Sequence, residues 1–311
     1  MSKKRTLVSF DWAIKNILRD KANYDVLEGF LSTLLDKDIT ILSVLESEGN
    51  QQDESDKFNR VDLAVEDENG EIFIIEVQNS RERHYLQRLL YGTSKLVVDH
   101  VSLGDSFKKV KKVISISILY FLFGEGENDY LYRGTTEFHG MNTQETLRLK
   151  PEKRRAVLGR EITAGSIFPE YYLIEVERFH DIITKGIDEW IYLFKNSKVR
   201  PEFTSKNIQA AAEKLDLLKM PENERRAYER YMIDRASEKD MIKTARIEGK
   251  LEGRLEGNLE GKLEIAANML QKGKYAFEDI AEATGLREEQ IRELEQRKEI
   301  DDPTEDITCL N

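Results

Sequence analysis

Two β-branched, apolar segments that flank a turn signal constrain the fold of this chain more than any other feature. Residues 58–65 and 72–78 have the composition of strands, and Glu68-Asn69-Gly70 between them is typical of a hairpin loop. Val113 to Phe123 reads as a buried strand because it is rich in β-branched and aromatic residues. Since helical periodicity precedes and separates these strands, the sequence predicts an α/β domain.

Helical segments surround the predicted strands. Phe10 to Leu18 has apolar residues at helical spacing, with Ser9 as a plausible N-cap. A second helix is predicted over Tyr24–Leu35. A third is predicted over 82–100, with an inner face formed by Leu86, Leu89, Leu90, Leu96 and Val97. Further along, we expect short strands at Tyr130–Arg133 and Tyr171–Val176 and a helix at Asp188–Phe194.

A four-residue repeat distinguishes the part of the chain that follows residue 205, where the whole pattern is helical. Glu-Gly-X-Leu occurs four times over residues 248–263. Four glycines cost a helix about 4 kcal/mol relative to alanine. Glycine at every fourth position would let a second helix approach closely, which predicts a homodimer that forms through this repeat. The alternative is a polar, partly flexible helical connector.

The chain length and these patterns predict four regions. They are an α/β domain with a small mixed extension at 1–200, a helical oligomerisation region at 201–264, a small helix-turn-helix-like unit at 265–298 and a flexible tail at 299–311. The unit at 265–298 could read DNA or serve as a helical packing unit. Residues 287–299 carry four basic and five acidic side chains, which favours packing.

The composition excludes several classes of protein. A net charge of −11 argues against non-specific coating of nucleic acid, although an enzyme could still meet phosphates through a local basic patch. The single cysteine, Cys309, excludes a disulfide framework and a cysteine-based zinc site within one chain. No apolar run approaches the roughly 20 residues of a membrane span, and the N-terminus lacks the apolar core of a signal peptide. We therefore expect a cytoplasmic protein without a membrane partner.

The hairpin carries the residues that point to chemistry. If Glu68-Asn69-Gly70 is a three-residue loop, Asp67 pairs with Glu71 and Asp62 lies directly opposite Glu76. A two-residue turn would place the two carboxylates on opposite faces. Gln78 shares a face with Glu76 because the period of a strand is two. The three-residue loop thus predicts a buried pair of carboxylates with an amide beside it.

Two carboxylates at this distance repel each other unless a cation lies between them. A hard divalent ion bound by oxygens resolves the repulsion, and Mg²⁺ or Mn²⁺ is the natural choice. The competing interpretation is that Asp62 and Glu76 form ion pairs with Arg60 or Arg88 on a solvated sheet face. The spacing of the residues alone does not decide between the two.

Two short segments together resemble the signature of the PD-(D/E)XK nucleases. They are Val61-Asp62 and, after a turn, Glu76-Val77-Gln78. Phe10-Asp11-Trp12-Ala13-Ile14-Lys15 is similar to the opening helix of the bacterial PD-(D/E)XK family transposases, the recombination-promoting nuclease group. Other segments that are similar to this family are Gln87 to Tyr91, Gly104 to Phe107, Val113 to Leu119, Glu189-Trp190 and the Glu-Gly repeat. The resemblance implies a restriction-endonuclease-like mixed sheet flanked by helices, with a helical C-terminal region.

The resemblance also implies a Mg²⁺- or Mn²⁺-dependent DNA endonuclease. By position, Asp62 and Glu76 would bind the metal, Val77 would offer its carbonyl, and Gln78 would take the place of the catalytic lysine. Glutamine cannot act as a general base or carry positive charge, so Gln78 would orient a water or a phosphate. The residues expected to support the site or bind phosphate are Asp11, Lys15, Arg88 and Tyr91.

Two questions remain open at the level of sequence. The lysines at 108, 109, 111 and 112 could meet a DNA backbone or form a solvated loop. The chain could also be a catalytically degenerate protein that binds DNA or oligomerises and keeps the nuclease fold, which Gln78 and the acidic C-terminal third favour. This alternative predicts no divalent-metal binding that depends on Glu76.

Overall fold

The fold is known from a computed structural model of the chain. The structure describes residues 6–45, 62–100, 106–107, 110–125, 129–149, 162–163, 167–217 and 219–301. By their contacts, these residues divide into an N-terminal unit up to Tyr228 and a C-terminal unit from Glu229.

The N-terminal unit contains both strands and helices. The strands are β1 Ile41–Leu45, β2 Leu63–Asp67, β3 Ile72–Gln78, β4 Val113–Leu119, β5 Leu131–Gly134, β6 Arg148–Leu149, β7 Ile162–Thr163 and β8 Glu170–Glu175. The helices are α1 Phe10–Asn16, α2 Tyr24–Leu35, α3 Tyr85–Asp99, α4 Gly186–Asn196 and α5 Ile208–Lys214. Two 3₁₀ turns, Lys21–Asn23 and Val176–Arg178, complete the unit.

A six-stranded mixed sheet forms the centre of this unit, with the strand order β1-β2-β3-β4-β8-β5. The β1–β2, β2–β3 and β5–β8 pairs are antiparallel, whereas β3–β4 and β4–β8 are parallel. β6 and β7 form a separate two-stranded ribbon. The predicted α/β class with a mixed sheet and flanking helices is confirmed.

Both faces of the sheet are covered, which explains the nearly continuous apolar sequence of β3 and β4. On one face, Leu96 and Val97 of α3 pack against a cluster of buried residues, Ala64, Ile72, Ile74 and Val113. Residues of the opposite face, such as Ile75 and Ile116, are also fully buried. An aromatic cluster of Phe10, Phe30, Trp190 and Phe194 joins α1, α2 and α4.

The structure corrects the sequence interpretation in three places. β1 was not predicted. The strand that begins at Val113 ends at Leu119 rather than Phe123. The predicted inner face of α3 is wrong at Leu86 and Leu90, which are exposed, while Tyr85, Leu89, Gly92 and Thr93 are buried. The N-terminal part of the predicted strand at 58–65 lies outside the described residues.

The C-terminal unit consists of helices. α6 runs from Glu222 to Lys272, belongs to this unit from Glu229 onward and contains the whole Glu-Gly repeat. It is followed by α7, Phe277–Thr284, and α8, Glu288–Asp301. Gly273 and Gly285 follow α6 and α7 with positive φ, a conformation that favours glycine at the end of a helix. Ala266 of α6 shares a small core with Ile280, Leu286 and Ile291. The division into the four predicted regions stays a prediction.

Among the described residues, no helix is long and apolar enough to cross a membrane.

Candidate active site

The loop between β2 and β3 decides which side chains meet at the site. The Asp67 N–H donates to the Glu71 carbonyl at 3.0 Å, and Gly70 adopts the left-handed conformation at φ 76°. The β2–β3 register pairs Leu63 with Ile75. Continued by one residue, this register places Asp62 opposite Glu76. The three-residue loop proposed from the sequence is therefore confirmed, and a shared face for the two carboxylates follows from extending this register.

Asp62 lies immediately before β2 and is held from two sides. Its Oδ2 accepts a hydrogen bond from the Val77 N–H at 2.8 Å, so the side chain continues the ladder where the strand pairing ends. Its Oδ1 lies 3.2 Å from Lys15 Nζ on α1. Arg19 donates to the Asp62 carbonyl at 2.8 Å. Lys15 of α1 and Arg19, which follows that helix, thus contact Asp62, while the Val77 N–H contacts it from β3.

Glu76 is buried near the end of β3, where Ser117 of β4 lies beside it in the parallel register. Burial raises the pKa of the Glu76 carboxyl to about 7, and the nearby charges of Asp62 and Glu82 act in the same direction. The Arg88 guanidinium and the Tyr85 hydroxyl lower this pKa without cancelling the effect. The site therefore contains a carboxylate whose negative charge is incompletely compensated.

Arg88 connects the acidic residues to Gln78. Its Nη2 donates to Glu76 Oε2 and to Gln78 Oε1, both at 3.2 Å. Its Nε lies 3.2 Å from Glu82 Oε2. The guanidinium also lies over the Tyr85 ring, 5.2 Å from the ring centroid. Glu76 thus forms an ion pair with Arg88, as the competing interpretation of the sequence predicts. Arg60 lies outside the described residues.

The other predicted site residues lie at different distances from this centre. Asp11 is buried on α1, and its Oδ2 accepts from Asn79 Nδ2 at 3.3 Å, directly after Gln78 in the sequence. The Val77 N–H points towards Asp62, so the Val77 carbonyl points to the same side of the strand. Tyr91 lies on α3, three residues after Arg88, and is exposed.

Sequence reasoning missed Glu82 and Ser117 as neighbours of Glu76. No local motif marks either residue. Glu82 precedes α3 in a loop, and Ser117 becomes a neighbour only through the parallel pairing of β3 with β4. The knowledge of which strand pairs with β3 would have identified Ser117.

The lysine cluster before β4 is partly neutralised. Lys111 Nζ lies 2.5 Å from Glu66 Oε1, and Lys112 Nζ lies 2.7 Å from Glu170 Oε2. These ion pairs favour a structural role for both lysines over contact with a DNA backbone. The lysines at 108 and 109 lie outside the described residues.

The donor set at this site fits a small hard cation. It comprises two carboxylates, a backbone carbonyl and an amide, all with oxygen atoms, which are the ligands that Mg²⁺ prefers. Among the described residues, no group of three or more His, Cys, Asp or Glu side chains could hold a metal. A metal at Asp62 and Glu76 would therefore keep several water ligands, as Mg²⁺ usually does.

Asp62, immediately before β2, and Glu76, on β3, lie in a part of the chain that matches a known family. Residues 8–150 match the family model described as PD-(D/E)XK nuclease family transposase. The matched segment, a little under half of the chain, is similar to this family and contains Asp62, Glu76 and Gln78. No curated protein and no solved structure matches the chain at a significant level.

Proposed function

We propose that this protein is a divalent-metal-dependent DNA endonuclease that hydrolyses phosphodiester bonds. The observation that carries the proposal is the closeness of Asp62 to the buried Glu76, whose pKa the Asp62 charge raises, within a segment that matches a nuclease family model. Mg²⁺ or Mn²⁺ would be held by the two carboxylates and the Val77 carbonyl. A role in recombination or in the transfer of mobile elements accords with the description of the family.

The metal, when bound, would lower the pKa of a water molecule and stabilise charge on a phosphoryl oxygen. The residues of the chain have separate tasks around it. Asp62 is oriented by the Val77 N–H, and this bond fixes its carboxylate plane. Gln78 cannot accept a proton as a general base, so its amide would orient the attacking water or the phosphate.

Positive charge for the phosphate would come from α1 and α3 rather than from the strand. Lys15 and Arg88 are the two cations that touch the carboxylate pair in the described structure. A guanidinium can bind a phosphate through two parallel hydrogen bonds, which suits Arg88 to the scissile phosphate. Asp11, through Asn79, and Tyr91 would support the site from its margins. Such a local arrangement permits DNA binding despite the net charge of −11.

The proposal is tested by incubating supercoiled plasmid with the purified full chain, with Mg²⁺ and with EDTA. The expected result is Mg²⁺-dependent nicking that Asp62→Ala abolishes. Glu68→Ala is the matched control, because Glu68 is an exposed carboxylate in the same hairpin. Cleavage that persists undiminished in Asp62→Ala would refute the assignment.

A catalytically degenerate protein that keeps the fold is the alternative. It is favoured by Gln78 in place of lysine and by the ion pairs that the two carboxylates already form with Lys15 and Arg88. It predicts that calorimetry detects no Mn²⁺ binding that depends on Glu76, whereas the endonuclease proposal predicts binding that Glu76→Gln removes.

We also propose that the chain forms a homodimer through the Glu-Gly repeat of α6. A Cβ added at Gly249, Gly253, Gly257 or Gly261 would meet no atom within 4 Å, so no close approach within the described chain explains these glycines. Their cost to the helix is about 4 kcal/mol. Leu251, Leu255 and Leu259 of the same repeat are exposed.

A dimer would suit cleavage of both DNA strands, because each strand needs its own active site. Sedimentation at micromolar concentration should detect a dimer. Replacing the four glycines by alanine should weaken it, although alanine favours the helix itself. A wild-type chain that sediments as a monomer would remove this proposal.

A further inference from the structure

We propose that Arg88 is a resident counter-cation of the site, and that a divalent metal reaches Glu76 only when the Arg88 guanidinium leaves it. Arg88 would thereby set the metal affinity of the site. The inference rests on the proposed metal-dependent function, and it concerns the competition between two cations for one carboxylate.

The contacts of a single nitrogen atom carry the argument. Arg88 Nη2 is 3.2 Å from Glu76 Oε2 and 3.2 Å from Gln78 Oε1. It therefore holds oxygen atoms of two residues that would face the metal or its water ligands. A divalent ion bound to Glu76 would repel a guanidinium that stayed at this distance. Metal and guanidinium exclude each other at Glu76 for electrostatic reasons.

The surroundings of Arg88 allow it to move without disturbing the fold. Glu76 belongs to a central strand and its side chain is 7% exposed, whereas the Arg88 side chain is 31% exposed. The carboxylate is therefore fixed, whereas the Arg88 side chain reaches solvent in part and keeps its Nε buried. Glu82, whose Oε2 already lies 3.2 Å from Arg88 Nε, offers a second partner once the bond to Glu76 breaks.

Lys15 is the natural comparison because it occupies the other carboxylate. Its Nζ lies 3.2 Å from Asp62 Oδ1, but its side chain is 49% exposed. Solvent-exposed ion pairs contribute little, since water screens them and the flexible side chain loses entropy. Displacing Lys15 should therefore oppose metal binding much less than displacing Arg88.

A released Arg88 would be available to a phosphate of the substrate. Metal binding would then create a phosphate site, and a bound phosphate would in turn favour the metal-bound state by linkage. Arg88 would couple the two ligands in this way, rather than act only as an anchor for DNA.

Calorimetric titration of the full chain with Mn²⁺ near pH 8, without DNA, tests the inference. Loss of a charge-assisted hydrogen bond predicts that Arg88→Gln binds Mn²⁺ about tenfold more tightly than wild type. Arg88→Lys should be intermediate, because it keeps the charge but loses the planar fork. Lys15→Gln should change the affinity less. Arg83→Gln, which removes an exposed charge beside the site, should leave it nearly unchanged.

The outcomes separate this inference from the proposed function. If wild type binds Mn²⁺ through Glu76 but Arg88→Gln binds equally or more weakly, the competition is refuted and the metal site stands. If neither wild type nor Arg88→Gln binds Mn²⁺, both proposals fall. The far-ultraviolet circular dichroism of each variant establishes that it is folded, and Arg88→Lys repeats the test with a milder change.

Discussion

Replacing Glu76 by glutamine should stabilise the metal-free protein at alkaline pH. Burial raises the pKa of Glu76 from its ordinary 4.5 to about 7, and the charges of Asp62 and Glu82 contribute to this rise. The folded state thus binds this proton more tightly than the unfolded state, so ionisation of Glu76 removes stability as the pH rises from 4.5 to 7. The loss, at about 1.4 kcal/mol per pH unit, reaches about 3 kcal/mol at pH 8.

Urea unfolding at pH 5 and pH 8 in EDTA measures this effect. Both tryptophans, Trp12 and Trp190, lie in the N-terminal unit and are buried, so tryptophan fluorescence reports on the unit that contains Glu76. Glu76→Gln should exceed wild type by up to about 3 kcal/mol at pH 8 and by less than about 1 kcal/mol at pH 5. Glu68→Gln serves as the control because its carboxylate is exposed.

A Glu76→Gln variant that is less stable than wild type at pH 8 would contradict this reasoning. It would mean that the ion pair with Arg88 outweighs the desolvation of the carboxylate. Equal differences at both pH values would show that packing, rather than ionisation, causes the change.

Three further predictions concern the same unit. Burial opposes the ionisation of Glu170, but hydrogen bonds from Lys112, Tyr172 and Arg133 outweigh it and lower the pKa of Glu170 to about 2. Glu170 therefore contributes stability above pH 4.5 that is lost as the pH falls towards 2. Acid unfolding of Glu170→Gln should show a weaker pH dependence than that of wild type, and an unchanged pH dependence would argue against this. Mn²⁺ at 100 times its dissociation constant should stabilise wild type by about 2.7 kcal/mol at pH 8 and leave Glu76→Gln unaffected, which thermal unfolding can check. Gly29→Ala should destabilise the N-terminal unit by about 1–3 kcal/mol, because the Cβ of the new alanine would come too close to the Lys206 carbonyl oxygen and the Asn207 Cβ. An unchanged midpoint of urea unfolding would disprove this.

The acid pair could be predicted from the sequence because strand geometry leaves few choices. The side-chain period of two and the three-residue loop at Gly70 fix which residues oppose each other. Asp62 and Glu76 therefore follow from the hairpin alone. The family match then supplies the fold around the hairpin.

The partners of the acid pair could not be predicted in the same way. On α3, counting apolar residues favoured Leu86 and Leu90 as the inner face, but the helix turns Gly92 and Thr93 towards the sheet instead. The Thr93 hydroxyl pairs with the Leu89 carbonyl and with the Tyr171 hydroxyl, both at 2.9 Å, which makes a polar residue suitable for burial. The rotation of the helix sets the direction of Arg88, and long-range packing determines that rotation.

Strand β1 was missed for a related reason. Ile41–Leu45 is short and lies at the edge of the sheet, and Leu42 is exposed, so the segment lacks the alternation that identifies a half-buried strand. Its pairing with β2, and not its own sequence, makes it a strand.

Anomalous X-ray scattering from crystals grown with Mn²⁺ tests the central claim most directly. The account predicts a peak that a carboxylate oxygen of Asp62 and one of Glu76 both approach at about 2.0–2.2 Å, with the Arg88 guanidinium turned away from Glu76. Well-ordered crystals in which Arg88 still bonds to Glu76 and no peak lies between the two carboxylates would contradict it.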